Sequence, residues 1–167
     1  LSCIDSRVPA ELIFDLGIGD ILSIRVAGNV IGSKSLGSIE YSVSQAGVKL
    51  VLVLGHTRCG AVTSSMQLLN ERSNIERETG CQHLHTIVTE IASCVQSTEV
   101  AEFSKMSTSE KSSMIDEVAK RNVFRTIREI SARSNVIRDA AAGGKILLIG
   151  AIYDVKTGNI EFLPEQP

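Results

Sequence analysis

A run of five apolar residues, Leu-Val-Leu-Val-Leu at positions 50–54, constrains the fold of this chain more than any other part of its sequence. A strand whose side chains are all apolar has to be covered on both faces, which is typical of a parallel sheet packed between helices. The mostly apolar residues 145–152 form a second run of this kind. The two runs therefore predict buried strands in a largely parallel sheet.

The segments between these strands show the spacing of amphipathic helices. Helices are predicted over residues 37–46, 61–69, 84–103, from 106 onward and 135–144, and short strands at 21–26 and 160–163. Ser107 and Glu110 have the spacing of a capping box, and Asn135 is predicted to cap the last helix. The polar residues 70–80 are predicted to form a loop or an insertion.

Strands that alternate with helices imply right-handed crossovers and the α/β fold class. We expect a central sheet of about four parallel strands with an antiparallel edge strand, flanked by helices. A length of 167 residues, 43% of them hydrophobic, predicts a single domain over residues 1–167. Residues 1–3 resemble the end of a buried strand, so we also expect that N-terminal sequence is missing.

The composition narrows the class of function. A net charge of -2 and an isoelectric point near 5.9, without a basic block, argue against nucleic acid as a partner and favour a small molecule. The apolar runs are far shorter than the roughly 20 residues that cross a bilayer, and no signal peptide opens the chain, so a soluble, cytoplasmic protein is predicted. Four cysteines are too few for a disulfide scaffold and point to metal binding or catalysis.

Two cysteines and a histidine follow predicted strands. Cys3 comes after the first strand, and His56 and Cys59 come after the strand at 50–54. The carboxyl ends of parallel strands share one edge of a sheet, where ligands bind. Three such ligands would leave the fourth position of a zinc ion open, as in a catalytic site. Each residue alone is also typical of a buried thiol or a hydrogen-bonded loop histidine.

Asp5 and Arg7 lie two positions apart and therefore on one side of an extended segment. A guanidinium can hold a carboxylate by two hydrogen bonds, although most such pairs are surface ion pairs of little consequence. Two thiolates would cancel the charge of Zn²⁺ and acidify its water less than three histidines would. A carboxylate that stays ionised beside Arg7 could then orient a zinc-bound hydroxide.

The motifs Cys-x-Asp-Ser-Arg at residues 3–7 and His-x-x-Cys-Gly at residues 56–60 resemble those of the β-class carbonic anhydrases. The similarity continues through segments 19–20, 24–29, 38–41, 55–62 and 150–154. The resemblance implies that Cys3, His56 and Cys59 bind one Zn²⁺ and that a zinc-bound hydroxide hydrates carbon dioxide reversibly to bicarbonate and a proton. It also implies a catalytic dyad of Asp5 and Arg7, whose aspartate binds zinc in a closed, inactive state of some family members.

The resemblance further implies a homodimer or a higher even oligomer with the active sites at the dimer interface. The matching pocket positions are Leu22, Gly28, Tyr41 and Gly60; Tyr41 would line the pocket of the neighbouring subunit, or else be a core tyrosine of an amphipathic helix. Leu22 replaces a phenylalanine that many relatives carry. Residues 27–29 resemble the subgroup with a constitutively open site. We expect the chain to lack the N-terminal helices that clasp the partner in the family.

Two other functions compete with this interpretation. One is a hydrolase of carbonyl sulfide or carbon disulfide on the same metal site. The other is a non-catalytic bicarbonate-binding domain of a longer membrane transporter, against which the intact Asp5 and Arg7 pair argues. Cys81, His83, His85 and Cys94 match no ligand spacing, and a structural or surface role is predicted for them. Arg58 is either a charge that attracts bicarbonate or a solvated loop residue.

Overall fold

The computed structural model describes residues 1–71 and 74–164, without the side chain of Glu71. In chain order the elements are α1 (Ala10–Ile13), α2 (Ser33–Ser44), β1 (Leu50–His56), α3 (Gly60–Glu71), α4 (Ile75–Thr79), α5 (Leu84–Ala92), α6 (Ser97–Phe103), α7 (Thr108–Arg133), α8 (Asn135–Ala142), β2 (Leu147–Tyr153) and β3 (Ile160–Phe162), with a 3-10 turn at Ala27–Asn29. No helix in these ranges is long and apolar enough to cross a membrane.

The sheet has the strand order β1-β2-β3. Strands β1 and β2 are parallel, with Leu50 opposite Leu147 and His56 opposite Tyr153. Strand β3 runs antiparallel to β2 at the edge. A parallel pair requires a long crossover connection, which helices α3 to α8 supply here. The predicted α/β class and the antiparallel edge strand are confirmed.

The first residues of the chain extend this sheet beyond β1. Ser2 forms parallel bridges to both Arg25 and Leu54. The Ser2 N–H donates to the Ile24 carbonyl at 2.9 Å, and the Val26 N–H donates to the Ser2 carbonyl at 2.9 Å. The predicted strands at 1–3 and 21–26 are therefore present only as single bridges. Two full parallel strands and these two bridged segments account for the predicted four.

Helix α7 packs directly on the sheet, and two glycines make this possible. A Cβ atom at Gly55 of β1 or at Gly150 of β2 would lie 2.6 Å from a methyl carbon of Val123 in α7. That separation is shorter than van der Waals contact, so only glycine allows the helix to approach this closely. Val53 of β1 and Ile130 of α7 belong to the same fully buried apolar cluster. The packing fixes the position of α7 relative to the carboxyl end of β1.

Two of the predicted helix boundaries were wrong because local capping overrides apolar periodicity. The single helix predicted over 84–103 is two helices, α5 and α6, since Gln96 and Glu99 form a capping box that starts a new helix. The cap of α8 is Ser134 and not Asn135, because the Ser134 hydroxyl accepts a hydrogen bond from the Ile137 N–H. Ser107 caps α7 in the predicted capping box with Glu110.

The loop predicted over 70–80 contains the short helix α4. Its start is set by Asn74, whose side chain accepts a hydrogen bond from the Arg77 N–H, and its end by Gly80 with a φ of 70°. Residues 72–73 of this predicted loop lie outside the described residues. Helix α2 begins at Ser33 and not at residue 37, so it is one turn longer than its apolar spacing indicates.

Candidate metal centre

Three buried side chains with metal-binding atoms meet at the carboxyl edge of the sheet. Cys3 follows the bridge at Ser2, His56 ends β1, and Cys59 precedes α3. Their ligand atoms all lie within 4.8 Å of one another. The side chains are 3%, 0% and 1% exposed, so they are screened from bulk water. The structure thus brings together the three residues that the sequence predicted as ligands.

The two nitrogens of the His56 imidazole differ in their hydrogen bonding within the described part of the chain. Its Nδ1 lies 2.9 Å from the Thr57 carbonyl oxygen, and a carbonyl only accepts hydrogen bonds, so Nδ1 carries the proton. The other nitrogen, Nε2, is buried and has no hydrogen-bond partner among the described residues. A buried nitrogen lone pair without a partner is costly unless something binds it. This geometry suits a neutral imidazole that binds a metal ion through Nε2.

The two thiols share a hydrogen-bond contact. The Sγ atoms of Cys3 and Cys59 are 4.0 Å apart. This contact with Cys59 lowers the pKa of Cys3, against the effect of burial, and the Gly28 N–H at 3.4 Å from the Cys3 sulfur acts in the same direction. The contact with Cys3 and burial raise the pKa of Cys59. Two sulfurs and one imidazole nitrogen form a donor set that fits zinc, so these residues could hold that ion.

Asp5 is held beside this cluster by Arg7. The Arg7 Nε donates to Asp5 Oδ1 at 2.9 Å and Nη2 donates to Oδ2 at 2.7 Å, and the Arg7 N–H adds a bond to Oδ1 at 3.0 Å. These bonds hold the pKa of the Asp5 carboxyl well below its usual range. Asp5 Oδ2 is 3.9 Å from His56 Nε2. The site therefore has an ionised carboxylate close to the Nε2 atom of His56.

Arg25 also supports the site, and its role was not identified from the sequence. Its Nε donates to the Cys3 carbonyl at 3.0 Å, and its Nη2 donates to the Asp5 carbonyl. The guanidinium thus fixes the backbone that carries both side chains. The one indication of this role in the sequence was that Arg25 lies inside segment 24–29, which resembles the carbonic anhydrase family.

Comparison with known proteins identifies the family. The sequence model of the family described as carbonic anhydrase matches residues 1–160. The chain belongs to the β-class carbonic anhydrase family. Carbonic anhydrase 2 of Mycobacterium tuberculosis is 36% identical over 156 residues, which are 93% of this chain and 69% of that protein. The carbonic anhydrase of Mycolicibacterium smegmatis is 34% identical over 95% of this chain and 70% of its own length.

Solved structures of β-carbonic anhydrases have the same fold. The enzyme of Aspergillus fumigatus aligns with a TM-score of 0.80 and 26% identity over 99% of this chain and 74% of its own. A tetrameric β-carbonic anhydrase of Sordaria macrospora aligns with a TM-score of 0.78 and 22% identity over 97% of this chain and 77% of its own. Family membership confirms the predicted zinc cofactor and the predicted carbonic anhydrase class.

The four pocket positions taken from the carbonic anhydrase resemblance lie in different settings. Gly28 is buried and its N–H contacts the Cys3 sulfur. Gly60 is exposed and begins α3. Leu22 and Tyr41 are 56% and 65% exposed. The assignment of all four to the carbonic anhydrase pocket stays a prediction.

The remaining polar candidates lie outside the cluster. Cys81, His83 and His85 are exposed near the start of α5, and Cys94 is half-buried after its end. Arg58 has an exposed side chain and a left-handed φ of 54°. Its N–H donates to Asp116 Oδ1 at 2.7 Å and its carbonyl accepts from Arg7 at 3.2 Å, so its backbone links Arg7 to helix α7.

Proposed function

We propose that the chain catalyses the reversible hydration of carbon dioxide to bicarbonate and a proton, with one zinc ion bound by Cys3, His56 and Cys59. The single observation that carries this proposal is the buried Nε2 of His56, which has no hydrogen-bond partner among the described residues and lies within 4.8 Å of two sulfurs. Three protein ligands are characteristic of a catalytic zinc site, in which a fourth position is available to water.

The ion would lower the pKa of a water molecule and supply hydroxide as the nucleophile. The protein's own contribution is to position that nucleophile. Asp5 stays ionised because Arg7 donates hydrogen bonds to both of its oxygens. Its Oδ2 lies 3.9 Å from His56 Nε2, and there it would accept the hydrogen of the nucleophile and so turn an oxygen lone pair toward carbon dioxide.

The hydrolysis of carbonyl sulfide or carbon disulfide would use the same groups. The relatives carry the name carbonic anhydrase, which favours carbon dioxide as the substrate. A non-catalytic bicarbonate-binding role is disfavoured because the Asp5 and Arg7 pair is fully formed. Stopped-flow assays with carbon dioxide and with both sulfur analogues distinguish the three functions.

The test of the metal site compares two cysteine variants. Cys59→Ala removes a proposed ligand, and Cys81→Ser removes an exposed thiol outside the cluster. We expect about one zinc per chain and rapid carbon dioxide hydration in the wild type and in Cys81→Ser, and loss of both in Cys59→Ala. Zinc content comes from elemental analysis. Full zinc content with full activity in Cys59→Ala would refute the assignment.

We also propose that the enzyme is a single-domain, cytoplasmic homodimer or a higher even oligomer. The oligomeric part of this proposal is supported by the tetrameric β-carbonic anhydrase of Sordaria macrospora, which has the same fold, and it would cover the exposed side chains of Leu22 and Tyr41. In the oligomer Tyr41 would reach the pocket of the neighbouring subunit, and Leu22, Gly28 and Gly60 would line the substrate pocket.

A further inference from the structure

Helix α7 carries a fully buried asparagine that contacts the surroundings of Cys3. Asn122 is 0% exposed, and its Nδ2 donates a hydrogen bond of 2.6 Å to the Gly28 carbonyl. The two residues are 94 positions apart in the sequence. Burial of an amide in an apolar core is costly unless the amide is hydrogen-bonded. The presence of an asparagine at this buried position therefore needs an explanation.

Gly28 connects Asn122 to the proposed metal ligand. The Gly28 N–H points at the Cys3 sulfur at 3.4 Å, while its carbonyl accepts the Asn122 bond. Between these two groups the backbone has a φ of 65°, which favours glycine. A Cβ there would meet Ile91 Cδ1 at 2.9 Å, so packing holds the residue as well. A bond that fixes one peptide plane therefore also fixes the direction of the neighbouring N–H.

We propose that Asn122 is a positioning residue of the metal centre, which holds Gly28 so that its N–H stays hydrogen-bonded to the sulfur of Cys3. This inference rests on the proposed metal binding by Cys3. A hydrogen bond to an anionic sulfur is strengthened by the charge and fixes the orientation of the sulfur. Such contacts around a ligand affect metal affinity although they do not touch the metal.

Thr126 provides a matched control one turn further along α7. It is also 0% exposed, and its Oγ1 donates to the carbonyl of the next loop residue, Asn29, at 3.3 Å. Removal of either side-chain donor breaks one buried hydrogen bond to the same loop. Only Asn122 acts on the residue that contacts Cys3. A purely structural role would make the two variants behave alike.

The experiment uses protein loaded with ¹¹³Cd in place of zinc. A scalar coupling between the metal and the Gly28 amide proton, measured by NMR, reports the N–H···S bond directly. We expect this coupling in the wild type and in Thr126→Val, and its loss in Asn122→Leu. Chelator competition should show about 10- to 100-fold weaker zinc binding in Asn122→Leu and less than about 3-fold weaker binding in Thr126→Val.

Several results would overturn the inference. One is a wild-type protein whose ¹¹³Cd shift shows thiolate ligands but whose Gly28 proton shows no coupling. Another is an unchanged coupling in Asn122→Leu. If Asn122→Leu fails to fold, the isosteric Asn122→Asp is measured in the same way, and failure of both to fold would assign Asn122 a structural role. A wild-type protein without thiolate-bound cadmium would instead refute the proposed metal site itself.

Discussion

At the scale of single residues, the state of Asp5 depends on one neighbour. Arg7 donates three hydrogen bonds to its carboxylate, two from the guanidinium and one from the backbone. The Asp5 side chain is 17% exposed, and Arg7 lowers its pKa although burial alone would raise it. Asp5 is therefore ionised at neutral pH, where its carboxylate accepts hydrogen bonds and donates none.

Asp5→Asn should separate orientation of the nucleophile from metal binding. The amide is the same size but loses the negative charge and half of its acceptor capacity, so we expect kcat for carbon dioxide hydration to fall by about 100-fold with zinc content unchanged. Stopped-flow kinetics and elemental analysis measure the two quantities. Asp139→Asn is the control, because Asp139 forms a surface pair with Arg138 and is 75% exposed. A fully active Asp5→Asn enzyme would contradict the role of Asp5.

The proposed ligands could be predicted from the sequence, but their supporting residues could not. Cys3, His56 and Cys59 lie in two short motifs whose spacing is visible without a structure. Asp116 and Asn122 contact Arg58 and Gly28 across 58 and 94 positions. The helical spacing of α7 places Asn122 among its buried residues, but it does not indicate the partner of either side chain, since each contact depends on how the helix lies on the sheet.

At the scale of elements, α7 is hydrogen-bonded to three other segments of the chain, two of which border the site. Asp116 accepts a hydrogen bond from the loop between His56 and Cys59, and Asn122 donates one to the 3-10 turn at Ala27–Asn29. Arg133 donates to the Ile31 carbonyl at 3.0 Å. The same helix packs on the two strand glycines, so its position relative to the sheet determines the position of the loops.

Gly150→Ala tests the close approach of α7 to the sheet. The added methyl group would lie 2.6 Å from Val123 and 3.0 Å from Ile127, and we expect a loss of about 1–3 kcal/mol in the free energy of unfolding. The control is Gly37→Ala in α2, where a Cβ has no neighbour within 4 Å. It should stabilise the protein by about 0.5–1 kcal/mol. Urea denaturation measures both; an unchanged midpoint in Gly150→Ala would refute the close packing.

The ion pair between α6 and α7 predicts an acid-sensitive part of the stability. Burial raises the pKa of Glu99, but hydrogen bonds from Arg121 and from the Gln96 N–H outweigh it, so the net pKa is lowered. A carboxyl whose folded-state pKa is depressed stabilises the protein above its unfolded-state pKa and loses this effect as the pH falls through the folded-state value.

Glu99→Gln should therefore destabilise the protein by about 1 kcal/mol near pH 7, and this difference from the wild type should shrink between about pH 5 and pH 3. Denaturation curves at several pH values measure it. Glu117→Gln, at an exposed position of α7, should stay close to the wild type throughout. A difference for Glu99→Gln that does not depend on pH would show that the charge of Glu99 is not involved.

The elements that the sequence predicted well have local signals, and the others do not. The capping box at Ser107 and Glu110 and the apolar run of β1 lie within a few residues of the boundaries they specify. The break between α5 and α6 was missed because apolar residues keep their helical spacing across it. The segments at 1–3 and 21–26 pair at one residue each, since the chain turns into the 3-10 helix directly after Val26.

At the scale of the whole molecule, the assembly state is the main prediction. Sedimentation velocity should show a dimer or a higher even oligomer, because exposed Tyr41 and Leu22 are expected at a subunit interface. Tyr41→Glu places a charge there and should give monomers with reduced activity, whereas Tyr41→Phe keeps the apolar ring and should behave as the wild type. A fully active wild-type monomer at micromolar concentration would contradict this prediction.

The Asn122 bond to Gly28 also bears on the order of events during protein synthesis. The ribosome releases Cys3, His56 and Cys59 long before α7, and β2 emerges later still. A nascent chain therefore carries all three donor atoms without the helix and the strand that fix their spacing. A metal ion bound at that stage would meet cysteines whose spacing is not yet fixed, and we expect the proposed centre to be complete only when the C-terminal third of the chain has been made.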